Sequence, residues 1–125
     1  MKKIFILVST LLLTACVNLS YDALEYDRYL SIYEKANNVV SLCGTPAMQQ
    51  EVSTLKQEMD HQFLYTMYRP SRSHITTAAD NLKEIVDGMY IKYQQPITPS
   101  KVYCEEKLRN ISDGVTPIIT TLGKF

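Results

Sequence analysis

The side chains able to do chemistry in this chain are few and scattered. Three cysteines stand at 16, 43 and 104, and two histidines at 61 and 74. A zinc or copper site draws on Cys and His at short spacings such as Cys-x-x-Cys or His-x-x-x-His. No such spacing occurs, so neither a metal nor another cofactor is expected. His61 follows Asp60 and His74 follows Ser73, and both read as solvated surface. Nucleophilic catalysis needs a hydroxyl or thiol beside a base and an orienting group. Serines and threonines are plentiful, but they stand mostly at helix starts, where capping explains them. Glu105-Glu106, and Asp80 with Glu84, are carboxylate pairs. A glycosidase pair must flank a cleft, whereas solvated helix faces account for these. The chain is therefore expected not to be an enzyme. Asn110-Ile111-Ser112 matches a glycosylation sequon but falls inside a predicted helix and is discounted.

The stretch that does carry chemistry is the first sixteen residues. Lys2 and Lys3 precede the apolar run Ile4 to Leu13, and Leu13-Thr14-Ala15-Cys16 closes it. That order is a secretory signal. The run is about half the ~20 residues that a spanning helix needs, which disfavours a membrane anchor or a buried helix. The closing tetrad resembles the lipobox of bacterial lipoproteins. The resemblance implies cleavage before Cys16, diacylation of its thiol and a third acyl chain on the new amino group. Val17, where Asp marks inner-membrane retention in that family, implies the periplasmic face of the outer membrane. The chain then divides into a signal peptide (1–15), a lipidated tether (16–20) and a helical domain (21–125). With Cys16 lipidated, Cys43 and Cys104 remain as a pair. Exported chains live where disulfides persist, so these two are expected to be bonded.

The totals fit that division. Of 125 residues, about 110 remain after cleavage, enough for one compact core. Charges balance at 13 against 13, and losing Lys2 and Lys3 leaves the mature chain near −2. No basic excess points to nucleic acid. The lipid is the expected membrane contact, and the other expected partner is a protein of the envelope.

Four helices must position these residues. The first is predicted from Asp22 to Cys43, capped by Asp22 with Glu25, ended by Gly44, with Tyr26, Leu30, Tyr33, Ala36, Val40 and Cys43 on its apolar face. Thr45-Pro46 opens the second as cap and first residue, with Met48, Val52, Leu55, Met59, Phe63 and Met67 in one stripe. Pro70 stops it. Ser73 caps the third, whose stripe is Ile75, Ala79, Leu82, Val86, Met89 and Tyr93. Thr98-Pro99 repeats the cap-then-proline device for the fourth, with Cys104, Leu108, Ile111, Val115, Ile118 and Leu122. Gly114 and Pro117 are expected to bend or interrupt that last helix. The predicted fold is all-α, a small up-down four-helix bundle with one inter-helix disulfide. Cys43 and Cys104 then fall at the same end, and the tether, the Arg69–His74 loop and the C-terminus at the other.

Nine tyrosines and no tryptophan are the compositional oddity. Tyr65 with Tyr68, and Tyr90 with Tyr93, are spaced three apart. They read either as the rim of a tyrosine-rich core or as a patch that takes a partner helix or strand. Arg69, Arg72 and His74 read as a membrane-proximal basic loop near lipid phosphates, or as a solvated one.

A lipidated helical domain with a disulfide from helix 1 to the last helix also resembles the pilotins of type II secretion systems. The residues that carry this are Leu42-Cys43 ending an early helix, Leu82 to Tyr90, Thr98-Pro99 ahead of Cys104, and Pro117-Ile118. Arg69-Pro70 stands where a Gly-Trp pair is expected in that family. The resemblance implies a protein-binding module that chaperones a secretin to the outer membrane through its C-terminal segment. The alternative is a phage- or plasmid-type envelope lipoprotein, acting in superinfection or entry exclusion or as an outer spanin-like lysis factor. A structural lipoprotein without enzymatic activity is the third reading.

Overall fold

The computed structural model describes residues 23–69 and 73–123. Four α-helices follow one another: α1 (Ala23–Asn38), α2 (Met48–Met67), α3 (Ser73–Tyr93) and α4 (Lys101–Leu122), with a 3-10 turn at Val40–Leu42. They form a ring in which α1 packs on α2 and α4, and α3 packs on α2 and α4. Cross-links between neighbours run in opposite senses along each pair. Tyr29 meets Thr66 and Lys35 meets Glu58 between α1 and α2. Between α2 and α3, Lys56 meets Asp87 and Asp60 meets Lys83. Neighbours are thus antiparallel, and the up-down four-helix bundle is the fold.

Helices α3 and α4 bury the stripes expected of them. Ile75, Ala79, Leu82, Val86, Met89 and Tyr93 are all buried, as are Cys104, Leu108, Ile111, Val115, Ile118 and Leu122. Each fully buried Leu, Ile or Met side chain contributes about 1.5–3 kcal/mol, so these two stripes drive much of the assembly. Helix α4 runs unbroken through Gly114 and Pro117. Proline removes one N–H from the ladder. The carbonyl left over, that of Asp113, belongs to an exposed residue beside an exposed Pro117, on the solvent side of the helix. Gly114 allows close approach to α3, since a Cβ there would lie 3.3 Å from Leu82 Cδ1.

The first two helices depart from expectation. The face of α1 that is buried carries Glu25, Tyr29, Ile32 and Ala36, continued by Val39 and Cys43. Tyr26, Leu30, Tyr33 and Val40 are only half-buried. The two candidate stripes are one residue apart, and packing between α2 and α4 selects the second. Helix α1 also stops at Asn38, not at Cys43. The chain tightens into 3-10 winding, with Leu42 N bonded to Val39 O and Cys43 N to Val40 O. This tighter turn carries Cys43 inward to Cys104. Their disulfide has Cα atoms 5.6 Å apart. In α2 the stripe holds from Met48 to Met59, then passes to Gln62 and Thr66 in place of Phe63 and Met67.

Two caps also differ, those of Thr45 and Thr98. Asp22 lies outside the described residues. Thr45 does not cap α2: its hydroxyl donates backward to Leu42 O at 2.6 Å, and the helix starts at Met48 without a side-chain cap. Thr98 does not cap α4 either. Ser100 does, its Oγ accepting from Tyr103 N at 3.1 Å, while Pro99 is buried just outside the helix. Gly44 ends the first helical segment as expected, at φ 85°, a conformation that a Cβ disfavours.

Candidate functional site

The end of the bundle that holds the disulfide is built from the α1–α2 and α3–α4 connections. Gly44 turns the first connection back, and Ser100 starts α4 immediately after the second. The two are tied together where Gln49 Nε2 donates to Tyr93 O at 3.3 Å. Between them lies an open cleft of about 560 Å³, lined by Thr45, Pro46, Gln49, Gln95, Pro96 and Thr98 among others. Three large apolar side chains stand in solvent at this same end: Ile97, Val102 and Ile91, 83%, 72% and 60% exposed. Ile97 lies in the α3–α4 connection, Val102 in the first turn of α4 and Ile91 in the last turn of α3.

Beneath them Tyr93 is buried, and its hydroxyl has no hydrogen-bond partner among the described residues. Burial raises the Tyr93 phenol above its ordinary range, reinforced by neighbouring Tyr103. Burial raises the Tyr103 phenol as well. Both therefore remain protonated donors well past neutrality. The ring of Tyr103 is flanked by the ammonium groups of Lys107 at 5.6 Å and Lys92 at 5.9 Å, within cation–π range.

The tyrosines singled out as a partner patch are not brought together. Tyr65 sits on the last turn of α2 and Tyr68 just past its end, and Tyr90 and Tyr93 on the last turn of α3. In an antiparallel pair these are opposite ends of the bundle. Tyr90 is half-buried with Lys56 Nζ 5.4 Å from its ring centre. Tyr65 is half-buried with the Arg69 guanidinium 5.9 Å from its ring. Tyr68 alone is open, at 85% exposure. Tyr90 and Tyr93 thus belong to the core and its rim.

The basic loop is redrawn too. His74 is exposed on the first turn of α3, because that helix begins at Ser73. Arg69 remains after the end of α2, and Arg72 lies outside the described residues, as does Cys16. His61 borders a shallow groove of about 180 Å³ with Arg28, Ser31 and Glu58. Asp80 and Glu84 are exposed, and Glu105 pairs with Lys101 at 3.8 Å. Among the described residues no three His, Cys, Asp or Glu side chains gather as a metal site.

One polar constellation has no signal in the sequence. Thr66 Oγ1 donates to Glu25 Oε1 at 3.0 Å, and Tyr29 Oη lies 2.7 Å from the same Thr66 oxygen. With the threonine proton committed to Glu25, the Tyr29 hydroxyl is the donor of that second bond. All three residues are buried, as is Gln62 one turn before Thr66. Neither Gln62 amide atom has a partner among the described residues. Glu25 reads locally as a helix-start acid, and only the pairing of α1 with α2 turns it inward.

Comparison of the chain with protein-family models, with characterised proteins and with solved structures finds no match.

Proposed function

We propose that this chain is a bacterial lipoprotein, held through Cys16 on the periplasmic face of the outer membrane, whose helical domain is a protein-binding module and not an enzyme. The observation that carries the reading is the exposure of Ile91, Ile97 and Val102 at the disulfide end, the end that also holds the cleft. In an antiparallel bundle that end is opposite the start of α1, so a tether entering at α1 presents it to the periplasm. Exposed apolar patches rimmed by polar groups mark protein or membrane contact, and an end turned away from the anchoring membrane is left with protein. The Cys43–Cys104 bond supports export, because disulfides persist in oxidising compartments. The lipobox-like Leu13-Thr14-Ala15-Cys16 supports the anchor.

On this reading the module recruits or occludes an envelope protein. A secretin, taken by its C-terminal segment as pilotins do, is the partner we favour. The exposed apolar residues offer contact area, while Gln49, Gln95 and Thr98 offer hydrogen bonds to the backbone of an incoming segment. The test is capture from detergent-solubilised envelopes by the lipidated full-length protein, beside the Ile97→Asp/Val102→Asp double variant. Capture of a secretin by the parent only, lost when the secretin's C-terminal segment is deleted, is expected. A porin or receptor in its place favours entry exclusion. Equal capture by parent and variant removes the disulfide end as the binding surface. Fractionation of Cys16→Ser tests the anchor, with loss from the outer membrane expected.

A further inference from the structure

A second group of exposed apolar side chains lies at the other end of the molecule. Tyr68, Leu64, Leu24 and Met67 are 85%, 55%, 49% and 39% exposed. Leu64, Met67 and Tyr68 occupy the end of α2, and Leu24 the first turn of α1. The bonds from Tyr29 to Thr66 and from Lys35 to Glu58 set the register that brings those two ends level. Leu64 and Tyr68 are four residues apart and so share one helix face.

We infer that this α1–α2 corner is an interfacial membrane contact, seated in the headgroup region of the bilayer that holds Cys16. The inference rests on the lipoprotein reading proposed above and adds a surface to it. Three observations choose a bilayer as the occupant. First, the corner is where the tether enters the fold. Seven steps of chain separate Cys16 from Ala23, and even fully extended they reach no more than about 25 Å. Any partner protein at this corner has to fit within that gap. Second, the composition is interfacial: a tyrosine with an apolar ring and a polar tip, flanked by aliphatic and thioether side chains. Arg69 follows Tyr68 directly, a guanidinium at the level of lipid phosphates. Third, none of the described helices is long and apolar enough to cross a membrane, so this contact is peripheral. Ile91, Ile97 and Val102, at the opposite end, cannot touch the same surface.

The chain has no tryptophan, so Tyr68→Trp supplies a single tryptophan, excited selectively at the red edge beyond tyrosine absorption, at a position open enough to accept it. Val102→Trp supplies the distal control. Each lipidated variant is reconstituted into phosphatidylethanolamine–phosphatidylglycerol vesicles containing lipids brominated near the headgroup. Trp at 68 is expected to shift to the blue and to be quenched several-fold more than Trp at 102. Adding Leu64→Glu to Y68W is expected to remove most of that quenching. Equal quenching at the two positions overturns the corner contact and leaves the anchor standing. A blue shift without bromine quenching also overturns it, since a protein and not lipid then covers Trp at 68. Intact mass of the same samples reads acylation, and an unmodified Cys16 overturns the anchor and the contact together.

Discussion

At the scale of single residues, the bundle's stability is set unevenly. Gln62 buries an amide with no partner among the described residues, which costs about 1–3 kcal/mol of desolvation. Gln62→Leu is therefore expected to raise stability by about 1–2 kcal/mol, read as a higher urea midpoint at unchanged slope. Thr66→Val removes the hydroxyl on which Glu25 and Tyr29 converge and should lower stability by about 1–3 kcal/mol. A partly buried charge cluster behaves differently. Lys56 bonds Asp60 at 2.9 Å and Asp87 at 3.1 Å, and Lys83 pairs with both carboxylates. Burial pushes the Asp87 carboxyl up, but the hydrogen bonds and charges of Lys83 and Lys56 outweigh it and hold it below its ordinary range. The Lys56 ammonium is raised, first by its bond to Asp60 and then, against the opposing effect of burial, by Asp87.

The signs follow from linkage. A carboxyl depressed on folding stabilises fully above its unfolded value, about pH 4, and that contribution is lost as pH falls through the lower folded value. A raised lysine contributes below its unfolded value of about 10.4, and loses that contribution as pH rises through the higher folded value. Stability from this cluster is therefore level across neutral pH and falls at both extremes. Asp87→Asn should flatten part of the acid limb in urea titrations between pH 2 and 6, and an unchanged acid limb assigns that loss to other carboxylates.

At the scale of elements, the helix starts show how one residue changes the chemistry of a boundary. Thr98-Pro99 has the form of a cap followed by a first-turn proline, yet Ser100 holds the capping bond. Ser100→Ala should cost about 1 kcal/mol, whereas Thr98→Ala should stay within about 0.5 kcal/mol, as exposed loop positions do. Comparing the two melts distinguishes the starts directly. The end of α1 shows the same sensitivity. Continued α-helical winding to Cys43 is what the apolar spacing suggests, but the 3-10 turn at Val40–Leu42 and the positive φ of Gly44 are what deliver Cys43 to Cys104.

At the scale of the whole molecule, the disulfide closes a loop of 61 residues. In the chain-entropy model this restricts the unfolded state by about 4 kcal/mol, a large fraction of the 5–15 kcal/mol typical of a domain. Cys43→Ala/Cys104→Ala, or full reduction, should accordingly lower the urea midpoint strongly, while helicity by circular dichroism in the absence of denaturant shows whether the bundle survives without it. The two exposed apolar groups divide the molecule's surface by end. One lies beside the start of α1, and the other at the opposite end, which holds the disulfide. Exchanging a polar residue for Ile97 should alter partner capture and leave bilayer contact intact, and the same change at Leu64 should do the reverse.

The helix count, the two clean stripes of α3 and α4, the up-down order and the Cys43–Cys104 pair were legible in the amino-acid order. A helical stripe is a local periodicity. An exported chain with two cysteines at the same end of antiparallel helices leaves one pairing to expect, although only the structure shows the 3-10 turn that brings Cys43 to Cys104. The face of α1 was not legible, because Tyr26-Leu30-Tyr33 and Glu25-Tyr29-Ile32 are overlapping stripes of nearly equal quality. What separates them is packing against α2 and α4, which includes the bond of Tyr29 to the Thr66 hydroxyl, 37 residues away in the chain. Nor was the separation of the tyrosines legible, since spacing within α2 and α3 says nothing of which ends meet which solvent. The sequence by itself determined the elements and their order. Only the tertiary structure decided which polar groups are buried and which apolar ones are left at each end, because burial depends on the neighbours that a helix meets and not on the helix alone.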